Sequence, residues 1–254
     1  MDISFEQKYH IYEEQHWWFL GRRHMLHQCI QHLPLNADSA LLDIGCAGGP
    51  LLIELENRGF HNLTGIDVSA PAIQLAQKRG LKNVQVMDGA KLAFENDSFD
   101  LIIASDVLEH IQDEEKALHE WFRVLRPGGW LLVFVPAYNF LWSAHDEANQ
   151  HYRRYTLTSL QNALKKQAWT KQKKAYWNFT LFLPVLFVRM AQNLVRSTSS
   201  SGEHNLKKPS AWINKLLFQL LKIENKLLKW INYPFGVSVF CLCQKNSNSH
   251  QANP

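Results

Sequence analysis

Ala40-Leu41-Leu42-Asp43-Ile44-Gly45-Cys46-Ala47-Gly48-Gly49-Pro50 reads as a short buried strand that breaks into a glycine turn and enters a helix over Leu51–Arg58. A turn this poor in side-chain bulk lets backbone amides approach a ligand at the start of the helix. The dinucleotide pattern GxGxxG is not met, because its second and third glycines, counted from Gly45, would be Ala47 and Pro50. Asp43, placed just ahead of the turn, would repel a pyrophosphate. It suits a ligand that carries positive charge.

The pattern repeats on both sides of this unit. Leu63–Val68, Asn83–Met87, Phe99–Ser105 and Trp130–Val135 read as strands, the last behind a turn at Arg126-Pro127-Gly128-Gly129. Ala70–Arg79 and Glu114–Leu125 read as the helices between them, residues 9–33 as one or two helices ending before Pro34, and Pro234–Lys245 as a closing strand. Strands alternating with helices predict an α/β fold whose parallel sheet is covered on both faces, with ligands at the carboxyl ends of the strands.

Two further acids stand at such ends. Asp67 closes the second strand at the separation from the glycine turn where a carboxylate meets a ribose diol. Taken alone such a residue is more often an N-cap for the next helix, a role open to Ser69 instead. Asp88 follows the third strand ahead of Gly89 and Ala90, where a side-chain oxygen can accept from an adenine amino group.

The ordered set of Asp43, Asp67 and Asp88, with Asn96–Asp100, Ser105-Asp106-Val107-Leu108-Glu109-His110-Ile111 and Leu125–Gly129, resembles the class I S-adenosylmethionine-dependent methyltransferases over residues ~38–138. The branch resembled is the small-molecule one that includes the ubiquinone and menaquinone biosynthetic methyltransferases. The resemblance implies a Rossmann-like, doubly wound, mostly parallel seven-stranded sheet with an N-terminal helix, an antiparallel last strand and an α-helical insertion before it. It implies S-adenosylmethionine as cofactor, with Asp43, Gly45, Cys46, Ala47 and Gly49 at the methionine part. Asp67 and Val68 would then meet the ribose, Asp88, Gly89 and Ala90 the adenine, and Ser105 and Asp106 the methyl-donor side. Ala47 departs from the family, where glycine is usual.

Methyl transfer from a sulfonium needs the acceptor positioned in line and a proton removed from it. The candidates for that proton are His110, His145, Asp146 and His151. Arg153 and Arg154, followed by Tyr155, are candidates to clamp an acidic acceptor or else to pair with the acidic half of the chain. His16-Trp17-Trp18-Phe19, with Arg22 and Arg23 one turn on, either lids the donor pocket or packs on the sheet edge, so Trp18 and Arg22 join the acceptor-side candidates.

Residues 1–150 hold 11 basic and 21 acidic residues, and the remainder 16 basic and 2 acidic. That asymmetry points to an anionic partner for the C-terminal part. On a helical wheel, residues 211–231 place Lys215, Lys222, Lys226 and Lys229 opposite Ile213, Leu216, Leu217, Leu220, Ile223, Leu227 and Ile231, with Trp212 and Trp230 at the boundary. Either this helix packs with a solvated lysine face, or it lies on a membrane surface. Glu224 falls on its apolar side, as a paired or acceptor-facing carboxylate.

The expected organisation is an N-terminal helical lid over residues 1–37 and a methyltransferase domain over 38–177 and 233–245. A basic amphipathic insertion occupies 178–232 and includes a flexible Ser197–Gly202 linker, and a disordered tail covers 246–254. The Phe179–Val188 run is too short to span a bilayer and is interrupted by Pro184. The four cysteines lack zinc spacing, so no metal is expected, and with no signal peptide they fit a reducing, cytoplasmic setting, peripheral at the inner face of the membrane.

Function follows as O-methylation, or less readily N- or C-methylation, of a small-molecule or lipid-linked acceptor. The alternative is a catalytically silent adaptor that binds membrane or protein through the basic helix. Nucleic acid is not the expected partner, since no Asn/Asp-Pro-Pro-aromatic motif of base-amine methylation occurs.

Overall fold

The computed structural model of the chain describes residues 12–196 and 209–247. The start of the expected lid, the Ser197–Gly202 linker and all but the first two residues of the expected tail lie outside them. Seven strands form one sheet: β1 (Leu41–Ile44), β2 (Leu63–Asp67), β3 (Val84–Val86), β4 (Phe99–Ser105), β5 (Leu125–Pro136), β6 (Trp169–Trp177) and β7 (Ser238–Lys245). Their order is β3-β2-β1-β4-β5-β7-β6. The first five are parallel, and β7 runs antiparallel between β5 and β6.

Around the sheet lie α1 (Trp17–Ile30), α2 (Pro50–Glu56), α3 (Ala70–Lys78), α4 (Glu114–Val124), α5 (Ala144–Ala148), α6 (Leu157–Leu164), α7 (Phe182–Arg196) and α8 (Ala211–Leu227). Leu101, Ile102, Ile103 and Ala104 of β4 are all fully buried, as continuous apolar strands under helices on both faces must be. Ser69 caps α3 by accepting from the Ala72 amide, which leaves Asp67 to other partners.

The expected turn at Arg126–Gly129 is absorbed into β5, which already starts at Leu125 and shows a register shift against β4. Gly128, at φ +79°, and Gly129, whose missing Cβ makes room for the Arg126 and Asp100 carbonyls, let the strand bulge instead of turning back.

Helix α1 is embedded rather than laid across the surface: Met25, Leu26, Cys29 and Ile30 belong to the core. Helix α8 packs on it. Asn214 accepts from the Trp17 amide at 2.8 Å, Asn225 donates to the Gly21 carbonyl at 2.9 Å, and Leu221 fills the space left by the absent Cβ of Gly21.

This packing corrects the expected orientation of α8. Leu221, Glu224, Asn225 and Leu228 are buried, whereas Leu216, Ile223, Leu227 and Ile231, assigned above to the apolar face, are exposed. The polar side chains decide the rotation, because each finds backbone or side-chain partners that a helical wheel does not count. Glu224 accepts from the amides of Phe179 and Thr180 at 2.8 and 3.1 Å and from the Thr180 hydroxyl at 2.6 Å. It is the paired carboxylate.

Ile103→Ala, at the centre of the sheet, is expected to lower the unfolding free energy by ~2–5 kcal/mol through lost burial and an unfilled cavity. Urea denaturation followed by circular dichroism measures it.

Candidate functional site

The carboxyl ends of β1, β2, β3 and β4 carry Asp43, Asp67, Asp88 and Asp106 along one edge of the sheet. Past β1 the chain turns sharply, the Gly45 and Cys46 amides donating to the Ile66 carbonyl at 2.8 and 3.0 Å. Gly45 sits at φ +73°, and a Cβ there would stand 2.5 Å from Val107, so only glycine fits. Ala47 adopts φ +48°, the left-handed backbone that glycine takes at little cost.

Asp67 ties this turn to the next. One carboxylate oxygen accepts from the Ala47 amide at 2.9 Å and the other from the Ser69 amide at 2.8 Å. Asp88 accepts from the Ala90 amide at 2.8 Å, and the Gly89 carbonyl is held by the Trp121 indole. Val68 points outward, 73% exposed, while Cys46 is buried and Gly49, at φ +77°, opens α2.

Asp43 is buried, and its carboxyl is pushed up to about 8 by desolvation, then by the charges of Asp67 and Glu13. Arg79 donates to the Gly48 carbonyl and pairs with Glu14, which brings the N-terminal segment to the glycine turn. A glycine cradle lined by carboxyl groups fits a cationic, nucleoside-containing ligand such as S-adenosylmethionine.

At the end of β4, Arg22 reaches in from α1. Its guanidinium lies 2.8 Å from Asp106 and 2.8 Å from the Ser238 hydroxyl, and its face covers Phe134 and Trp177 at 4.4 Å and Trp18 at 5.6 Å. Ser105 donates to Asp106 at 3.2 Å. Arg22 Nε and both polar atoms of the Asn178 side chain are buried without a protein partner among the described residues, at this same edge of the sheet.

The histidines gather beside this edge. His110 and His151 meet edge to face at 4.5 Å, with His145 at 6.2 Å from His151. Burial pulls His110 and His145 down to about 4, so both are neutral imidazoles at neutral pH. His151 shares its Nδ1 with Asp146 at 2.9 Å.

Asp146 itself is fully buried. Desolvation would raise its pKa, but hydrogen bonds from His151 and Arg154 outweigh it and hold the carboxyl well below the usual range. The Asp146 carboxylate thus stands paired with both His151 and Arg154. Arg154 takes the second of its two expected roles, pairing with the acidic half: it is buried and bonded to Asp146 at 2.7 and 3.0 Å and to the Ala137 carbonyl at 2.9 Å. Arg153 and Tyr155 likewise turn to Glu114, at 3.2 and 2.6 Å, which is the pairing with the acidic half.

Glu109 was not singled out from sequence. It is 1% exposed, one of its carboxylate oxygens has no partner among the described residues, and burial followed by the Asp106 charge raises its pKa well above the carboxylate range. Glu109, His110 and His151 bring ligand atoms within 4.8 Å of one another, a set able to bind a divalent cation. Spacing rules miss it because His151 arrives from a distant loop. Open depressions beside Asp38 and Arg126 lie at the amino ends of the strands, away from this chemistry.

Residues 42–133 match the family model described as a methyltransferase domain. Over 119 residues the chain is 35% identical to a probable tRNA methyltransferase 9B of Bos taurus, covering 46% of this chain and 24% of that one. It is 32% identical over 130 residues to a ubiquinone biosynthesis O-methyltransferase of Albidiferax ferrireducens, covering 45% and 51%. The chain thus spans about half or less of these relatives. Phosphoethanolamine N-methyltransferase 2 of Haemonchus contortus, solved with phosphomonomethylethanolamine and S-adenosylhomocysteine, superposes with a TM-score of 0.58 at 21% identity, over 87% of this chain and 52% of that one. The fold is the Rossmann-like fold of these methyltransferases.

The raised pKa of Asp43 has a sign. Between about pH 4 and pH 8 the folded state holds a proton that the unfolded state has lost, so stability falls as pH rises through this window. Asp43→Asn removes that dependence. The variant is expected to resist urea better than the parent near neutral pH and equally at pH ~4, as parallel denaturation curves will report.

Proposed function

We propose that the chain is a methyltransferase that uses S-adenosylmethionine and acts on an oxygen of a small-molecule or lipid-linked acceptor. The observation that carries this is the buried Asp43 carboxyl at a glycine turn, beside Asp67, where a bound cation would displace its proton and pair with the carboxylate. The methyltransferase-domain match over residues 42–133 includes this turn and supports the same activity.

Asp43 and the amides around Gly45 to Gly49 would hold the methionine part, Asp67 with Val68 the ribose, Asp88 with Gly89 and Ala90 the adenine. Asp67 already orients the Ala47 and Ser69 amides, and Asp88 the Ala90 amide. When bound, S-adenosylmethionine supplies an electrophilic methyl group. The residues of this chain bring the acceptor in line and take its proton.

For that proton we assign His151. Asp146 accepts from Nδ1, which fixes the tautomer and leaves Nε2 as the nitrogen that takes the proton. Glu109 and His110 would border the acceptor oxygen, Arg22 and Trp18 the opposite wall. The segment that carries Glu13 and Glu14 would close over the donor as the expected lid. Four free cysteines accord with a cytoplasmic enzyme.

Calorimetric titration with S-adenosylmethionine is expected to give binding that Asp67→Ala abolishes. Well-folded protein without binding would replace the enzyme by the adaptor alternative. With phenolic, lipid-linked and tRNA acceptors assayed side by side, His151→Asn is expected to lower kcat ~100-fold or more while leaving donor affinity unchanged. An unchanged kcat would remove His151 from the mechanism.

A further inference from the structure

Helix α8 has three faces. At about 100° per residue, Leu217, Leu221, Glu224, Asn225 and Leu228 share the side packed on the fold, and all but the half-buried Leu217 are buried. Lys215, Lys222, Lys226 and Lys229 form a second stripe. Trp212, Leu216, Ile223 and Leu227 form the third, an outward arc of about 60°, and they are 69, 60, 59 and 40% exposed. Trp230 continues that arc just past the helix, 78% exposed.

Single exposed leucines are ordinary, but a continuous stripe of five large apolar side chains beside a stripe of lysines is not. The one acid of the helix, Glu224, is turned inward onto Phe179 and Thr180, so the outward side holds only positive charge. Helix α7 has a similar division. Phe182, Val185 and Leu186 pack with Leu141 and Val237, while Leu183, Phe187 and Met190 are exposed on another side. No helix among the described residues is long and apolar enough to cross a membrane.

We propose that the outward face of α8 docks this protein on a bilayer that carries anionic lipids, with the helix lying along the surface. The apolar stripe enters the interface, the lysines meet lipid phosphates, and Trp212 and Trp230 sit at headgroup level near the two ends. Charge complementarity selects this occupant over a second copy of the same face, which would bring one lysine stripe against another.

Glu224 of α8 holds the Phe179 and Thr180 amides just ahead of α7, and Arg189 of α7 donates to Ser143, the cap of the helix that carries Asp146. Delivery of a lipid-linked acceptor from the bilayer to the histidine cluster would follow. This last consequence rests on the methyl-transfer proposal, but the docking does not.

The test is sedimentation of the full chain with phosphatidylcholine vesicles with and without phosphatidylglycerol. Binding is expected only with the anionic lipid, weakening as salt is added and falling about fivefold for each Lys→Gln change among the four lysines. Ile223→Glu is expected to abolish it while circular dichroism and donor binding stay unchanged. Absent binding at low salt, or binding that survives neutralisation of all four lysines, overturns the proposal. So does a dimer in solution that Ile223→Glu converts to monomer, which would assign the face to a second copy. Loss of donor binding with vesicle binding retained counts against the methyltransferase proposal alone.

Discussion

The Arg22 guanidinium lies inside the protein, between Phe134 and Trp177, 2.8 Å from Asp106. Taking an arginine out of water costs several kcal/mol, and here the Asp106 charge, the Ser238 hydroxyl and two aromatic faces offset it. Five parts of the chain supply that setting: α1, the turn after β4, β5, the end of β6 and the start of β7. The ion pair thus locks the N-terminal helix to the carboxyl edge of the sheet. It also supplies the positive charge that Glu109 and Asp106 feel most directly. Further along the same edge burial, then the nearby Asp67 charge, push the Asp43 carboxyl up to about 8.

The sheet was legible because its signals are local. A run of four or five apolar residues, a glycine turn and an acid at the strand end each lie within a few residues, and parallel strands under helices repeat the pattern. Asp43, Asp67 and Asp88 could be found for the same reason. What the sequence hides is pairing across distance. Arg154 looks like a free cation until Asp146 folds back on it, and Glu109 looks like one acid among many until burial leaves an oxygen without a partner.

Helix α8 failed in a more instructive way. A wheel ranks its faces by hydrophobicity and would bury Leu216, Ile223 and Leu227. The fold instead buries Glu224 and Asn225, because backbone amides at 179 and 180, the Gly21 carbonyl and the Trp177 indole need partners there. Satisfying those buried polar groups outweighs the apolar area left in water. The lysine-rich half of the chain is consequently organised by a few inward polar side chains, with its apolar residues displaced outward.

Strand β7 carries a consequence for how the molecule assembles. It lies between β5 and β6, yet follows both in the chain, with α7 and α8 intervening. On a ribosome, β5 and β6 emerge well before the strand that joins them, and until residue 245 is free the long edge of β5 stays unpaired. Contacts of such sequence separation form slowly, and an open apolar edge of this kind invites association with other nascent chains. Chaperone dependence during synthesis would be concentrated in that interval, ending when the last strand slides into the gap.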